Sequence, residues 1–171
     1  MAQGWHREIY RDVKVPVSYY VGEIRDSDPR LPELFGYEVA VGPNPGVPSD
    51  HVPAQLASFE GFMAEAVARL DAVVPVGEAP TEAGTLHSVL TLCAVSHGEW
   101  VRIHPFANGN GRTARLWANW CAARYGLPPF VRLRPRPEGD VYAKAASDSM
   151  RGDHRATVIA FANLLTDRLH R

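Results

Sequence analysis

The segment HPFANGNGRTAR, residues 104–115, combines one histidine, a turn rich in asparagine and glycine, and two arginines. Apolar residues recur at three- and four-residue steps over residues 86–101, which predicts an amphipathic helix before the turn. The residue before a proline avoids helical angles, so Pro105 should end that helix near His104. A second helix should begin near residues 110–111. The segment therefore predicts two helices joined by a turn, with chemically active side chains at that turn.

The remainder of the chain is predicted to be mainly helical. Helical periodicity is also present in residues 5–13, 53–70 and 141–171, the last broken near Gly152–Asp153. Segments 15–25 and 37–41 are instead rich in Val, Tyr and Ile, with Gly and Pro at their borders, which is typical of two short paired strands. Residues 42–50 contain the turn signals of a loop. The expected fold is all-α, with four to six helices and one small β-hairpin.

Composition narrows the class of protein. The chain has 171 residues, the length of one domain, 1–171, and a formal net charge of −1, which argues against a nucleic-acid binder. The N-terminus lacks the apolar core of a signal peptide, and no apolar run is long enough to span a membrane. We therefore expect a cytoplasmic protein without a membrane partner, although secretion without a cleavable signal stays possible. Cys93 and Cys121 lack metal-site spacing and are expected to be reduced.

The turn has the composition of an anion site. A helix that starts near residue 110 presents unpaired N–H groups and the positive end of its dipole, and glycines allow a ligand to approach closely. Arg112 and Arg115 are three residues apart and can lean to the same side, which favours a polyphosphate. His104 is the residue of the segment that can accept a proton at neutral pH. Hydroxyl attack on phosphorus is the natural chemistry, although an ordinary turn with solvated arginines and a core histidine remains an alternative.

The segment is similar to the signature of the Fic (filamentation induced by cAMP) family, H-x-F-x-[D/E]-G-N-G-R-x-x-R. The matching positions are His104, Phe106, Gly109, Asn110, Gly111, Arg112 and Arg115. Similarity continues in GEIR (22–25), YEVAV (37–41) and RYGLPPF (124–130), so the resemblance covers nearly the whole chain.

This resemblance implies a Fic-type helical domain with a β-hairpin flap, at about 22–41, over the active site. Most members transfer AMP from ATP to a Ser, Thr or Tyr hydroxyl of a target protein and release pyrophosphate. His104 would be the general base and Phe106 a buried anchor for the loop. The flap would bind an extended target segment by strand addition; its residues are Tyr37, Glu38, Val39, Ala40 and Val41.

The resemblance also assigns the phosphate-binding residues. Gly109, Asn110 and Gly111 would form the anion hole for the α- and β-phosphates. Arg112 would contact phosphate or brace the loop, and Arg115 would bind the γ-phosphate. ATP as substrate and Mg²⁺ are therefore the expected small-molecule ligands.

Asn108 departs from the family pattern, because it replaces the Asp or Glu that binds Mg²⁺. An amide oxygen is an uncharged and weaker ligand than a carboxylate. We expect Asn108 to reach the metal directly or through a water, with the nucleotide supplying most of the ligands. The alternatives are reduced activity or a donor other than ATP.

A built-in inhibitor is also missing from the sequence. Many family members carry [S/T]-x-x-x-E-[G/N], whose Glu pairs with the last Arg of the signature. Glu60–Gly61 and Glu138–Gly139 are preceded four residues earlier by Leu56 and Arg134, so neither matches. We therefore expect either a separate antitoxin-like partner that supplies a Glu to Arg115 or an unregulated chain.

Other readings stay open. A catalytically weak nucleotide-binding regulatory module is the main alternative, followed by a relative that transfers phosphate, UMP or phosphocholine. An intact GNGR followed by Arg115 favours the AMP orientation of the donor. His97 is expected to be a core histidine, with a metal or supporting role as the alternative. The basic run RLRPRP (132–137) is expected to be a solvated edge, or a contact for a nucleotide or an acidic partner.

Overall fold

The computed structural model describes residues 1–170, which form six α-helices and one short β-hairpin. The helices are α1 (Ala2–Ile9), α2 (Val52–Asp71), α3 (Ala83–Ile103), α4 (Asn110–Arg124), α5 (Asp140–Ser149) and α6 (Arg155–Leu169). Strands β1 (Ala40–Val41) and β2 (Asn44–Pro45) are antiparallel, with Ala40 opposite Pro45 and Val41 opposite Asn44. The predicted all-α class with a small hairpin is confirmed.

Helices α3 and α4 form the centre of the fold. Small side chains let the two helices approach closely, and the buried face of α3 is occupied by Cys93 and Ala94 while that of α4 carries Ala118 and Cys121. Helix α6 and helix α2 also pack on α3, and α1 packs on α4. Because α3 ends and α4 begins at the 104–110 turn, this packing fixes both sides of the turn.

An aromatic cluster lies beneath the turn and joins four helices. Trp117 of α4 makes edge-to-face contacts with Trp5 of α1 and Phe59 of α2, each with ring centroids 5.2 Å apart. Trp100 of α3 lies 5.5 Å from Phe59 and 5.9 Å from Phe106 of the turn. Such contacts add specific geometry to the large apolar area that these side chains bury. The turn therefore rests on a rigid base.

The predicted helices 53–70, 86–104 and the one beginning at 110–111 match α2, α3 and α4. The predicted break near Gly152–Asp153 is also confirmed, because α5 ends at Ser149 and α6 begins at Arg155. The short N-terminal helix begins and ends a few residues earlier than its predicted range of 5–13. Long apolar periodicity located the core helices well because each has one face against the centre.

The predicted pairing of strands 15–25 and 37–41 is wrong. Strand β1 pairs with β2, inside the predicted loop 42–50, through a two-residue turn at Gly42–Pro43. Residues 15–25 contain a short 3₁₀ helix at Ser18–Tyr20 and a left-handed glycine, Gly22, with φ 93°. Their composition favours strands, but tertiary contacts outweigh that preference.

Backbone hydrogen bonds explain why no strand forms at 22–25. The N–H of Gly22 donates to Nδ1 of His6 in α1 at 3.0 Å. The N–H of Arg25 donates to the carbonyl of Pro105 at 2.8 Å. The donors that a strand would use are therefore bound to α1 and to the turn.

Arg25 connects the flap to the end of α3. Its side chain is fully buried, and its guanidinium donates to the carbonyls of His104 (2.8 Å), Tyr37 (2.7 Å), Val47 (3.0 Å) and Ile103 (3.1 Å). A buried cation is tolerated when its donors are satisfied in this way. Arg25 thus fixes the base of the flap, Tyr37–Val47, against the residues that carry the histidine.

Replacing Arg25 by Met should lower the free energy of unfolding by about 3 kcal/mol, because four buried carbonyl contacts lose their donors. Urea denaturation of both proteins measures this difference. Arg30→Met is the matched control, because Arg30 is exposed and pairs only with its neighbour Asp28. The control should change stability little, and an equally small loss for Arg25→Met would contradict the role of Arg25.

Candidate active site

His104 is held in a strained backbone conformation. It caps the C-terminal end of α3 with φ 54° and ψ 54°, the left-handed region that residues with a side chain seldom occupy. Its N–H donates to the carbonyl of Trp100 at 3.0 Å, and its carbonyl accepts from Arg25. Strain of this kind costs about 1–3 kcal/mol and persists where surrounding contacts impose it.

The imidazole of His104 is arranged as a base. Nδ1 lies 2.9 Å from the carbonyl of Val101, which can only accept, so Nδ1 carries the proton. Nε2 then presents its lone pair and has no hydrogen-bond partner within residues 1–170. Burial lowers the pKa of His104 below its usual value; the Val101 carbonyl opposes this shift, and the Arg25 cation adds to it. The ring is therefore neutral at pH 7 and can accept a proton at Nε2.

The N-terminus of α4 has backbone N–H groups that are not hydrogen-bonded within residues 1–170. Gly109 is the N-cap, with φ 82°, and its carbonyl accepts from the N–H groups of Arg112 and Thr113. The N–H groups of Asn110 and Gly111 have no partner among the residues that the structure describes. Two free donors at the positive end of a helix dipole form an anion site.

The side chain of Asn110 fixes the turn rather than lining the anion site. Its Oδ1 accepts from the N–H of Phe106 at 2.9 Å, and its Nδ2 donates to the carbonyl of Phe106 at 2.7 Å. Asn110 is 1% exposed and Phe106 is fully buried. Within the expected anion hole, Asn110 can thus contribute its backbone N–H alone.

Helix α1 supports the turn from behind. Nε2 of His6 donates to the carbonyl of Asn108 at 2.9 Å, and the His6 ring stacks on Phe106 with centroids 4.0 Å apart. Tyr10 accepts a hydrogen bond from Arg112, whose guanidinium lies 4.6 Å from the centre of the Tyr10 ring. Arg112 is expected either to contact phosphate or to brace the loop, and its side-chain contacts with Tyr10 brace the loop.

His6, Tyr10 and Arg25 support the site, and sequence reasoning missed them. His6 and Tyr10 are four residues apart, which places both on one face of α1. That spacing was the available signal, but it does not identify a partner 102 residues away in the chain.

Arg115 is a buried cation without an acidic partner. It is 8% exposed, and its Nη2 donates to the carbonyl of Leu133 at 3.0 Å. Its Nε is buried without a hydrogen-bond partner, and Arg115 forms no ion pair within residues 1–170. Burying an unpaired charge is costly, so this guanidinium is suited to an anionic ligand.

The side chains around the turn do not provide the oxygen ligands that a protein-built magnesium site needs. Asn108 is exposed, and its Oδ1 already accepts from the N–H of Gly109 at 2.6 Å. Residues 104–115 contain no Asp or Glu. Within residues 1–170, no three or more His, Cys, Asp or Glu side chains converge on a possible metal position. Because Mg²⁺ prefers carboxylate and water oxygens, one neutral oxygen is a poor protein contribution.

The flap lies directly against His104. A β-carbon built on Gly46, just after β2, would lie 3.2 Å from Cβ of His104 and 2.8 Å from Cγ2 of Val39. The flap tip is also attached to α5, since Nδ2 of Asn44 donates to Oγ of Ser147 at 3.0 Å. The hairpin therefore covers one side of His104.

The predicted flap residues divide into two groups. The carbonyl of Tyr37 accepts from Arg25, Oε1 of Glu38 accepts from the N–H of Ser49 at 3.0 Å, and the carbonyl of Val39 accepts from Gly46 at 3.0 Å. These contacts hold the base of the flap. Ala40 and Val41 of β1 are exposed and form the strand edge available to another chain.

His97 is a core residue, as predicted. It is buried, and its Nε2 lies 2.9 Å from the hydroxyl of Tyr142. Burial lowers the pKa of His97 to about 3, so the ring stays neutral. It packs against Phe161 of α6 rather than reaching the turn.

Comparison with known proteins identifies similar sequences. The Fic/DOC family model matches residues 1–122. Protein adenylyltransferase Fic of Nematostella vectensis is 39% identical over 84 residues, which are 48% of this chain and 18% of that protein. The protein of the same name from Drosophila melanogaster is 49% identical over 47 residues, or 28% and 9% of the two chains. The present chain therefore spans less than a fifth of these relatives.

A solved structure shares the fold. Fic-1 (residues 134–508) from C. elegans superimposes with a TM-score of 0.67, covering 99% of this chain and 41% of that one. Sequence identity in this comparison is 23%, so it supports the fold alone. Within residues 1–170, no helix combines the length and apolar character needed to cross a bilayer.

Gly109→Ala should destabilise the protein more than Gly36→Ala. Both glycines have positive φ, 82° and 66°, so both substitutions impose backbone strain. At Gly109 the new methyl group would also lie 2.9 Å from Tyr10 and 3.0 Å from His6, whereas nothing lies within 4 Å at Gly36. We expect an additional loss of about 2 kcal/mol for Gly109→Ala in urea denaturation. Equal losses at both positions would contradict the close packing of the turn on α1.

Proposed function

This chain belongs to the Fic/DOC family, and on that premise we propose that it transfers AMP from ATP to a Ser, Thr or Tyr hydroxyl of a target protein. One observation carries the proposal. The unprotonated Nε2 of His104 shares the turn with two free N–H groups of α4 and with the unpaired guanidinium of Arg115. The name of the similar proteins from Nematostella vectensis and Drosophila melanogaster, protein adenylyltransferase, supports the same reaction.

Donor binding uses the anion site. The backbone N–H groups of Asn110 and Gly111 would donate to the α- and β-phosphates, which suits their position at a helix N-terminus. Arg115 would bind the γ-phosphate and gain the anionic partner that it lacks. Arg112 would keep the turn in place through Tyr10.

The chemical step follows from the protonation state of His104. As the target hydroxyl oxygen bonds to the α-phosphorus, its proton moves to Nε2 of His104. The bond between the α-phosphorus and the bridging oxygen to the β-phosphate breaks, and pyrophosphate leaves. The N–H groups at the start of α4 stabilise the negative charge that builds on the phosphate oxygens. His104 then releases its proton to solvent.

The exposed edge of β1 is the proposed docking site for the target. An extended target segment would add to Ala40–Val41 by main-chain hydrogen bonds, and its hydroxyl would then lie near His104 because the flap packs on that residue. An antitoxin-like partner is the second proposed ligand. Its Glu would compete with the γ-phosphate for Arg115, which has no acidic partner in the described residues.

The state of Asn108 favours a second candidate function. Its side-chain oxygen is uncharged and already accepts one hydrogen bond from Gly109, so it would be a weak ligand for a metal that accompanies the nucleotide. A protein with this site could bind ATP with weak or no turnover and act as a regulatory module. Transfer of another phosphate-containing group is a further variant of the enzyme.

Label transfer in a cell lysate distinguishes these candidates. With ATP labelled at the α-phosphate, the native chain should label protein bands that ATP labelled at the γ-phosphate does not. His104→Ala should abolish the bands while retaining ATP binding, because it removes the base and leaves the anion site. Bands from the γ label would mean phosphotransfer, and ATP binding without bands from either label would support the regulatory module.

The rate of AMP transfer should be insensitive to pH above neutrality and fall at acid pH. Since burial lowers the pKa of His104, the base is already neutral at pH 7 and becomes protonated only as pH falls through that lowered pKa. Below it, kcat/KM should fall about tenfold per pH unit. A profile of kcat/KM from pH 5 to 9 measures this. A decline that begins between pH 8 and 7 would show that His104 is not the base, or that its pKa is raised.

A further inference from the structure

The arginines of this chain are unevenly distributed. Residues 100–137 contain seven arginines and no Asp, Glu or Lys, although the whole chain has a net charge of −1. This stretch includes the turn, α4 and the following segment. A local excess of cations of this size calls for either acidic partners elsewhere in the fold or an anionic ligand.

Three of the seven arginines have acidic partners in the fold. The pairs are Arg102 with Glu99, Arg124 with Asp71 and Arg132 with Glu138. Among the residues that the structure describes, the other four form no ion pair: Arg112, Arg115, Arg134 and Arg136. The first two belong to the signature, and the last two lie in the basic run that follows α4.

The basic run is in contact with the phosphate end of the site. The carbonyl that accepts from Nη2 of Arg115 belongs to Leu133, so Arg134 is adjacent in sequence to this contact. Arg134 and Arg136 are both exposed, which leaves their guanidiniums free to reach a ligand. Burial raises the pKa of Tyr142, and the nearby cations of Arg115 and Arg136 oppose that rise.

The charge of the four arginines without an ion pair, here called the arginine cluster, indicates which ligand they suit. A nucleoside triphosphate carries about four negative charges near neutral pH, and its magnesium complex about two. The cluster supplies four cations, and the turn offers no carboxylate to hold a metal. Arg134 and Arg136 therefore complement the free triphosphate better than its magnesium complex.

We propose that Arg134 and Arg136 extend the phosphate site beyond Arg115, so that the chain binds a nucleoside triphosphate largely without Mg²⁺. This inference rests on the proposed function in taking the ligand to be a nucleotide donor. It assigns the basic run as a specificity element for the terminal phosphates. It also gives a physical reason why an uncharged Asn108 is sufficient at its position.

Calorimetric binding of ATP, AMP and inorganic tripolyphosphate tests the proposal, each in EDTA and in excess Mg²⁺. For the native chain, the Kd of ATP should differ by less than about threefold between the two conditions. Arg134→Gln combined with Arg136→Gln should weaken ATP and tripolyphosphate binding in EDTA by about tenfold or more, since two cations are lost. AMP binding should change little, because AMP lacks the terminal phosphates.

Arg69→Gln is the matched control. Arg69 is an exposed arginine of α2 that pairs with Glu65, so its loss should change the ATP affinity by less than about twofold. Thermal unfolding checks that the double variant, altered at two exposed side chains, stays folded. The proposal is overturned if the native chain loses tenfold or more of its ATP affinity in EDTA, or if the double variant binds as the native chain does.

The outcomes separate this proposal from the proposed function. Tripolyphosphate binding that depends on Arg134 and Arg136 in EDTA, without label transfer from ATP, would support the arginine site and overturn AMP transfer. Label transfer accompanied by strictly magnesium-dependent ATP binding would support AMP transfer and overturn the arginine site.

Discussion

The buried guanidinium of Arg25 is the interaction on which the site depends. It donates to carbonyls at the end of α3 and at both ends of the flap, and the strained backbone of His104 is one of its partners. Because the buried guanidinium has no water to replace these carbonyl acceptors, losing them would cost free energy. The flap and His104 therefore cannot move apart freely. The Arg25 side chain thereby couples the position of His104 to the position of strand β1 in the flap.

The turn is stabilised from two further directions. Asn110 closes it from within through both polar atoms of its amide, and α1 closes it from behind through His6 and Tyr10. The aromatic cluster fills the space below. These contacts use the polar atoms of Asn110, His6 and Tyr10. The N–H groups at the start of α4, Nε2 of His104 and Nε of Arg115 have no hydrogen-bond partner within residues 1–170. Preorganisation of this kind suits a site that stabilises charge.

The pairing of arginines with acidic residues differs between the candidate site and the rest of the molecule. Most arginines outside the site pair with a neighbouring acid, whereas Arg112 and Arg115 of the signature and Arg134 and Arg136 of the following basic run form no ion pair within residues 1–170. Asn108 removes the carboxylate that the family pattern places beside them. These features are the ones that support the proposed phosphate site, in which arginines would carry more of the charge and a metal less.

The sequence by itself determined the helices of the core, the end of α3 at His104 and the start of α4 at Asn110. It also determined the group of glycines and arginines at the turn that supports the proposed anion site. These features depend on local periodicity, on Pro105 and on residue types within a few positions of one another. Tertiary structure alone decided the flap, the roles of Arg25, His6 and Tyr10, and the position of the basic run beside Arg115. The hairpin formed at 40–45 because the donors of Gly22 and Arg25 were taken by α1 and the turn. Contacts between residues 78 to 102 positions apart, such as those of His6, Tyr10 and Arg25 with the turn and the end of α3, have no local signature, since they exist only once the helices pack.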